Sequence, residues 1–378
     1  MQPSGNDARF DIAVIGGGLV GAAIAYGLAG RAERIAVLDE GDVAYRASRG
    51  NFGLVWVQTK GQREPAYGVW SLASSQAWPR LAQELHALTG IDVRLEQPGG
   101  LSVLLSEREV ESRVDYMQRM LAQPGMPQYD WRLLDNSQLR ELVPGIGSAV
   151  IGAIHCRHDG HLNPLKLLRA LHSALKLRGV EYRSQHRVST ITPLAAGGFA
   201  LDTASGKMRA DRIVLASGLG NATLAPQVAI NAPVRPQRGQ ILVLERLQPL
   251  LRYPITTLRQ TDEGTILVGD AQEEAGYAES IGLPVLATLA ERAVLTFPAL
   301  KDARVVRTWA ALRIMSKDGF PIYEQSARYP GAFLATCHSG VTLAAAHAYE
   351  LAPAIVRGSL PTLLEPFSAR RFDVQAVA

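Results

Sequence analysis

One uncharged stretch near the start of the chain runs from Ile12 to Gly30, 19 residues of mostly apolar and small side chains. That length is enough to cross a bilayer. Six glycines within it (Gly16, Gly17, Gly18, Gly21, Gly27 and Gly30) argue otherwise, since each costs an isolated helix about 1 kcal/mol relative to alanine. The preceding MQPSGNDARFD carries two Asp against one Arg, so no positive leader precedes an apolar core. The pattern divides more naturally into a strand (FDIAVIGGG), an alanine-rich helix (LVGAAIAYGLAG) and a second strand ending in acid (ERIAVLDEG).

Two later stretches repeat the theme. ADRIVLASGLG (Ala210 to Gly220) reads as a strand ending in a small-residue turn. GAFLATCHSGVTLAAAHAYELA predicts a strand over Phe333–Thr336, a turn, and a helix from about Val341. The segments from about Leu81 to Pro144 and Asn231 to Thr308 hold fewer glycine turns. Their strand-like runs (LSVLL, QILVLE, TILVGD) alternate with helices and predict an antiparallel sheet. Clusters such as QPGMPQ are surface turns.

Composition narrows the field. At 378 residues, 47% hydrophobic and 20% charged, the chain accommodates two or three domains and needs no disulfide or structural metal to fold. Two cysteines, Cys156 and Cys337, form no disulfide framework. They are also too few to ligate an iron–sulfur cluster, which normally takes four. The net charge of +4 comes from scattered residues, mostly Arg, without the basic stripe of a nucleic-acid binder. His155, His158 and His161 invite a metal reading, but HCRHDGHLNP looks like a strand-to-helix entry and no metal is expected.

The glycines carry chemistry. Gly16, Gly18 and Gly21 fit G-x-G-x-x-G between a strand and a helix, and Asp39 lies 23 positions after Gly16. In that arrangement Gly16 permits the tight turn, Gly18 admits a pyrophosphate, and Gly21 lets helix and strand pack closely. The helix start at Leu19 and Val20 offers unpaired N–H groups to phosphate, and the acid receives a ribose. NAD and FAD share this fingerprint. After Asp39 comes GDVAYRASRGNFGLVW, a polar loop rather than the third strand of an NAD-binding half. Three strand-to-turn elements favour FAD, which runs through a whole domain. The N–H groups of Gly340, Val341 and Thr342 then face the flavin N1–C2=O edge, where a helix start stabilises the reduced anion.

Taken in order, DIAVIGGGLVGAAIAYGLA, ASRGNFG, DGHLNPLKLLRAL, IVLASGLG, VRPQRGQIL, LRIMSKDGFPI and CHSGVTLAAAHAYELAP span nearly the whole chain. The sequence resembles the FAD-dependent D-amino-acid oxidase family, with glycine oxidase, sarcosine oxidase and related amine or imino-acid dehydrogenases. SRGNFGLVWVQ and TCHSGVTLAAAHA are similar to the catalytic (beta) subunits of heteromeric D-hydroxyproline, opine or cyanide-forming glycine dehydrogenases. The resemblance implies that Gly16, Gly18 and Gly21 line the FAD pyrophosphate and that Asp39, with Glu40, holds the ribose. Ser48, Arg49, Asn51 and Gly53 would lie along the pyrophosphate and flavin, and the Val188 backbone against adenine. Ala216, Ser217 and Gly218 would form a second phosphate-side turn, and His338, Ser339, Gly340, Val341 and Thr342 the flavin-facing helix start.

The sequence departs from the family pattern in places. Ser217 replaces a small residue, Cys337 stands where glycine is common, and the CHSGVTL turn lacks the second His-Gly pair of sarcosine oxidase. TWAALRI contains no cysteine to carry covalent flavin, so FAD is expected to be non-covalent. By its place in the family motif Arg313 is the expected carboxylate anchor, gripping substrate through paired charge-assisted hydrogen bonds. Tyr253 reads either as a pocket hydroxyl or as a packed tyrosine.

The expected fold is α/β: a Rossmann-like FAD-binding domain (1–80, 145–230 and 309–378) interleaved with an α+β substrate domain on an antiparallel sheet (81–144 and 231–308). The expected reaction is oxidation of a small amino or imino acid by hydride transfer from its α-carbon to flavin N5, giving an imine. Direct use of oxygen as an oxidase, an NAD-linked dehydrogenase and a flavin-holding electron-relay subunit remain as alternatives. Partner subunits carrying an iron–sulfur cluster or a second flavin would take the electrons of a dehydrogenase. The chain is expected in the cytoplasm without a transmembrane segment, with peripheral membrane attachment through an electron acceptor as the other option.

Overall fold

A computed structural model describes residues 8–41 and 47–376, with side chains through residue 373. The first strand, Ala8–Ile15, forms the middle of an eight-stranded sheet. It pairs in parallel with Gly206–Leu215 on one side and Ile35–Leu38 on the other. Glu181–Arg183 extends the second side, and Ala332–Thr336 the first, both in parallel. Ile322–Gln325 closes that edge antiparallel.

Alternation along the first strand sets the layers. Ile12 and Val14 pack on a helical face with Leu19–Leu28, Pro65–Thr89 and Pro164–Leu177, while Ala13 and Ile15 fill the opposite face. The first helix lies tightly between its neighbours. A Cβ on Gly21 would stand 1.9 Å from the Gly16 carbonyl oxygen, and one on Gly27 would stand 2.0 Å from that of Ala348. The histidine-rich stretch is a strand-to-helix entry: Gly152–Cys156 and Gly160–His161 lead to Pro164–Leu177. The Asn163 side chain caps that helix by accepting from the N–H groups of Leu165 and Lys166.

The antiparallel sheet is present. Val234–Arg246 pairs with Val305–Ser316 from Val234 opposite Ser316 to Leu244 opposite Val305, and Thr265–Val268 and Leu258–Gln260 follow on its other side. A three-stranded group, Gly100–Leu104, Gly152–Cys156 and Trp131–Asp135, joins it through a bridge between Leu101 and Ile255. Its own core gathers Leu101, Leu139, Ile255, Leu258, Ile266 and Phe297. Among the described residues, no helix is long and apolar enough to cross a membrane.

The C-terminal helix starts later than its sequence predicts. Residues 340–343 form a turn, regular helix begins at Ala344, and a π-helical segment follows at His347–Leu351. Groups from the long helix Pro65–Thr89 occupy its first turn. Ser74 Oγ donates to the Thr342 carbonyl at 2.7 Å and accepts from Ala346 N–H at 3.0 Å, standing in for a direct helical bond. Trp78 Nε1 donates to the Val341 and Thr342 carbonyls at 3.1 and 3.2 Å. Trp78 is fully buried, so Trp78→Ala should cost about 3–5 kcal/mol. Thermal unfolding should read the loss, and faster amide exchange at residues 340–346 should localise it.

Candidate active site

A cleft of about 460 Å³ opens at the ends of the parallel strands. One end is walled by Leu38, Asp39, Glu40 and Val188. Its middle is formed by Gly16, Gly18, Leu19, Val20, Ser48, Arg49 and Asn51, and its far end by Ala216, Ser217, Gly218, His338 and Gly340. The structure thus brings together most of the residues expected at the cofactor.

Glycine makes this wall possible. Gly16 sits at φ +110°, where its backbone passes so close to the next strand that a Cβ would stand 2.5 Å from the Ala216 carbonyl oxygen. A Cβ on Gly18 would meet Ser48 Oγ at 2.8 Å. Asp39 is held in place by Gly17 N–H on one oxygen (2.7 Å) and Gly41 N–H on the other (2.8 Å). A carboxylate has about four acceptor positions, so two stay open toward the cleft. Ser48 Oγ accepts from Leu19 N–H at 2.9 Å. Ser217, the departure from the small-residue turn, bonds Asn221 Oδ1 through its hydroxyl at 2.6 Å. At the other turn the N–H groups of Gly340, Val341 and Thr342 meet no acceptor among the described residues, although their neighbour Leu343 N–H is used by the Ser339 carbonyl. An elongated cleft with free helix-start N–H groups, fixed carboxylate acceptors and side-chain-free approach fits FAD.

Several expected residues stand behind this wall. Gly53, at φ +91°, packs against the Leu162 carbonyl oxygen. Thr342 Oγ1 accepts from Trp56 N–H at 3.1 Å, and Val341 is buried. Ser339 turns its hydroxyl to Tyr67 and Lys60. Tyr253 is placed away from this cleft. It lies in the core of the antiparallel half with its ring edge-on to His155 at 5.7 Å, and reaches no wall of the cleft. An isolated tyrosine has no sequence signature that separates those two settings. Other wall residues carried no motif, among them Tyr182, His172, Tyr277 and Glu279.

Arg313 lies on the strand Val305–Ser316, whose neighbours Leu312 and Ile314 line the cleft. Alternation therefore turns Arg313 toward the opposite face. Its guanidinium crosses Gly239, where a Cβ would stand 2.5 Å from Nη1. Nη1 donates to the Ala271 carbonyl at 2.6 Å, and Nη2 lies 3.6 Å from Asp270 Oδ1. Asp270 holds a positive φ of 78°. Burial pushes its carboxyl up, and Arg313 opposes that shift.

Lys60 was not anticipated by any spacing. Its Nζ donates to Ser339 Oγ at 2.9 Å and approaches His338 Nε2 at 3.3 Å, above the Tyr67 ring. Burial lowers the ammonium to about 8 from its ordinary 10.5. Burial first, then the charges of Lys60 and Arg313, hold His338 well below the usual histidine range, so it is neutral at physiological pH. Asp159 fixes the segment leading to Lys60. It accepts from Val57 N–H and from both the backbone and side chain of Gln58, and burial raises it to about 7.

A profile of FAD-dependent oxidoreductases (DAO) matches residues 11–354. The chain belongs to this family. It is 47% identical to the B chain of opine oxidase from Rhizobium meliloti over 97% of this chain and 98% of that one. It is 28% identical to hydrogen cyanide synthase subunit HcnC of Pseudomonas aeruginosa over 98% of each. The crystal structure of glycine oxidase from Geobacillus kaustophilus superposes with a TM-score of 0.86 at 26% identity, covering 96% of this chain and 99% of that one. The family is FAD-dependent, and the chain is accordingly a flavin oxidoreductase.

The lowered Lys60 value has a stability consequence. Below about pH 8 Lys60 is charged in both folded and unfolded chains, and the folded state bears the full cost of burying it. Between about 8 and 10.5 the folded amine is neutral while the unfolded one is still charged, so the cost fades as pH rises. Lys60→Met should raise Tm at pH 7, with a gain that shrinks toward pH 10. Melting curves at the two pH values check this.

Proposed function

We propose that this flavoprotein oxidises a small amino or imino acid of the opine, D-hydroxyproline or glycine type. Its α-hydrogen would leave as hydride and the product would be an imine. The observation that carries the reading is Arg313, half-buried on the antiparallel sheet, its guanidinium held across Gly239 with Nη1 2.6 Å from the Ala271 carbonyl and Nη2 3.6 Å from Asp270. A guanidinium there can take a substrate carboxylate through two parallel hydrogen bonds, each worth about 1.5–3 kcal/mol.

When bound, FAD supplies the hydride acceptor, and the protein's work is orientation. Gly16, Gly18, Leu19, Val20, Ser48, Arg49 and Asn51 would hold the pyrophosphate side, with Asp39 and Glu40 at the ribose. The Val188 backbone would meet adenine. Ala216, Ser217 and Gly218 would flank the chain of the cofactor, and the free N–H groups of Gly340 to Thr342 its ring edge. Arg313 would fix the substrate carboxylate, and so the α-carbon, on the other side. His338, kept neutral by burial and two nearby cations, adds no positive charge next to the amine, which must itself be neutral to release hydride. The antiparallel portions, residues 81–144 and 231–308 in outline, would form the substrate half and the remainder the FAD half. Imine hydrolysis then proceeds in water, or a cyclic imine persists.

The names of the opine oxidase and cyanide synthase relatives, each given as one subunit of its enzyme, support a heteromer in which other chains pass electrons onward, through an iron–sulfur cluster or a second flavin. The likeness to glycine oxidase favours a second reading, direct transfer to oxygen. Steady-state oxidation with oxygen against a dye acceptor separates them. The reading places the chain in the cytoplasm, meeting a membrane only through its acceptor.

Anaerobic addition of opines, D-hydroxyproline, N-methyl amino acids and glycine should bleach the flavin spectrum for at least one class; bleaching by none would count against the reading. Arg313→Ala should keep its flavin and lose at least tenfold in kcat/KM. Acid precipitation should leave the yellow colour in the supernatant, as non-covalent FAD requires.

A further inference from the structure

We infer that the gap between the far end of the helix Leu19–Leu28 and the π-helical segment His347–Leu351 is a binding site for a phosphoryl dianion, held by Arg31, Arg80 and Arg178. It shares no lining residue with the cofactor cleft, so it stands independently of the amine-oxidising reading.

A second cavity of about 190 Å³ opens there, far above the ~10–15 Å³ that one water needs. Three guanidiniums and one carboxylate line it: Arg31 just beyond the first helix, Arg80 and Glu84 on Pro65–Thr89, and Arg178 at the end of Pro164–Leu177. Glu84 ties the walls together. Its Oε2 accepts from the hydroxyls of Tyr26 and Tyr349 at 3.0 and 2.8 Å, and its Oε1 from Arg80 Nε at 2.8 Å. Each tyrosine ring carries a guanidinium, Arg178 over Tyr26 at 4.0 Å from the centroid and Arg80 over Tyr349 at 4.1 Å. Tyr349 belongs to the π-helical segment, a distortion found frequently at functional sites.

Charge and donors are left over. Burial works against the Glu84 anion, but hydrogen bonds from Arg80, Tyr349 and Tyr26 outweigh it and hold its carboxyl below the usual range. Glu84 is therefore ionised, and three cations against one anion leave the cavity at +2. Helix capping accounts for a minority of the donors. Arg31 Nη1 donates to the Gly27 carbonyl at 2.9 Å, and Arg178 donates to the Tyr26 carbonyl and hydroxyl at 3.4 and 3.0 Å. A guanidinium has five N–H donors, so most of each fork meets no acceptor among the described residues. Arginine pairs with phosphate through two parallel bonds. A tetrahedral dianion has oxygens for all three forks and cancels the charge, whereas a monocarboxylate brings two oxygens and one charge. Free phosphate and a phosphate monoester share this chemistry. The Arg80 side chain is 68% exposed, so the anion enters without any opening of the fold.

The test is calorimetric titration of the FAD-loaded protein at fixed ionic strength, which holds screening constant, with inorganic phosphate, sulfate, acetate and ribose 5-phosphate as probes. One equivalent of phosphate should bind at about pH 8, at least tenfold more tightly than acetate. Phosphate should bind more weakly at about pH 5, where its second proton is regained, while sulfate, a dianion throughout, should change less than twofold. Among the described residues no histidine lines the cavity, so the wall keeps its charge over that range. Arg31→Gln combined with Arg178→Gln should weaken phosphate at least tenfold. Arg31→Gln alone, which removes one capping contact, should weaken it at least threefold and serves if the pair does not fold. Arg119→Gln, an equal change of charge on an exposed helix, should alter it less than twofold. Tighter binding of ribose 5-phosphate than of phosphate assigns a monoester, and weaker binding the free anion; both uphold the site. No phosphate binding, equal binding of acetate, or an affinity unmoved by the Arg31 and Arg178 changes would overturn the inference.

Discussion

The hold of the long helix Pro65–Thr89 on the turn at residues 340–343 is the constraint on which the rest of the site depends. Ser74 and Trp78 take the Val341 and Thr342 carbonyls. With those carbonyls held, the peptide units that follow Val341 and Thr342 are fixed, and the N–H groups of Gly340, Val341 and Thr342 meet no acceptor among the described residues. An ordinary helix start would expose similar donors but would let the first turn fray. Here a buried indole and a hydroxyl inserted between Thr342 and Ala346 make it rigid. The same helix carries Tyr67, whose hydroxyl meets Ser339 and whose ring lies beside Lys60. One element therefore shapes both the turn and the charged space beside it.

Electrostatics in that space runs against the usual economy of interiors. Lys60 makes its direct contacts with a hydroxyl, a histidine nitrogen and an aromatic ring. Asp159 acts on it as a counter-charge at longer range and accepts its hydrogen bonds from Val57 and Gln58. The carboxylate buttresses the segment that leads to the lysine. Such an arrangement is unfavourable for folding, because the charge is held away from water.

The parts of this picture legible in the sequence are those made by neighbours in the chain. Gly16, Gly18, Gly21 and Asp39 could be read from spacing because strand, turn, helix and strand are consecutive. The antiparallel half was legible from its alternating runs. The delayed start of the C-terminal helix was not, because Ser74 and Trp78 lie more than 260 positions away from the carbonyls they hold. Lys60 was silent for the same reason: its environment is assembled by His338 and Ser339, some 280 positions distant. Tyr253 had two readings, and its place in the antiparallel core comes from packing that no spacing reveals.

The parity of the strand Val305–Ser316 has a consequence for substitution. Leu312 and Ile314 meet the cleft, and Arg313, between them, turns away from it. Substitution at the odd-numbered positions can therefore change one face while the even-numbered ones keep the wall of the cleft on the other. The two faces stay separate so long as the pairing of Gln237 with Arg313 keeps the strands in register.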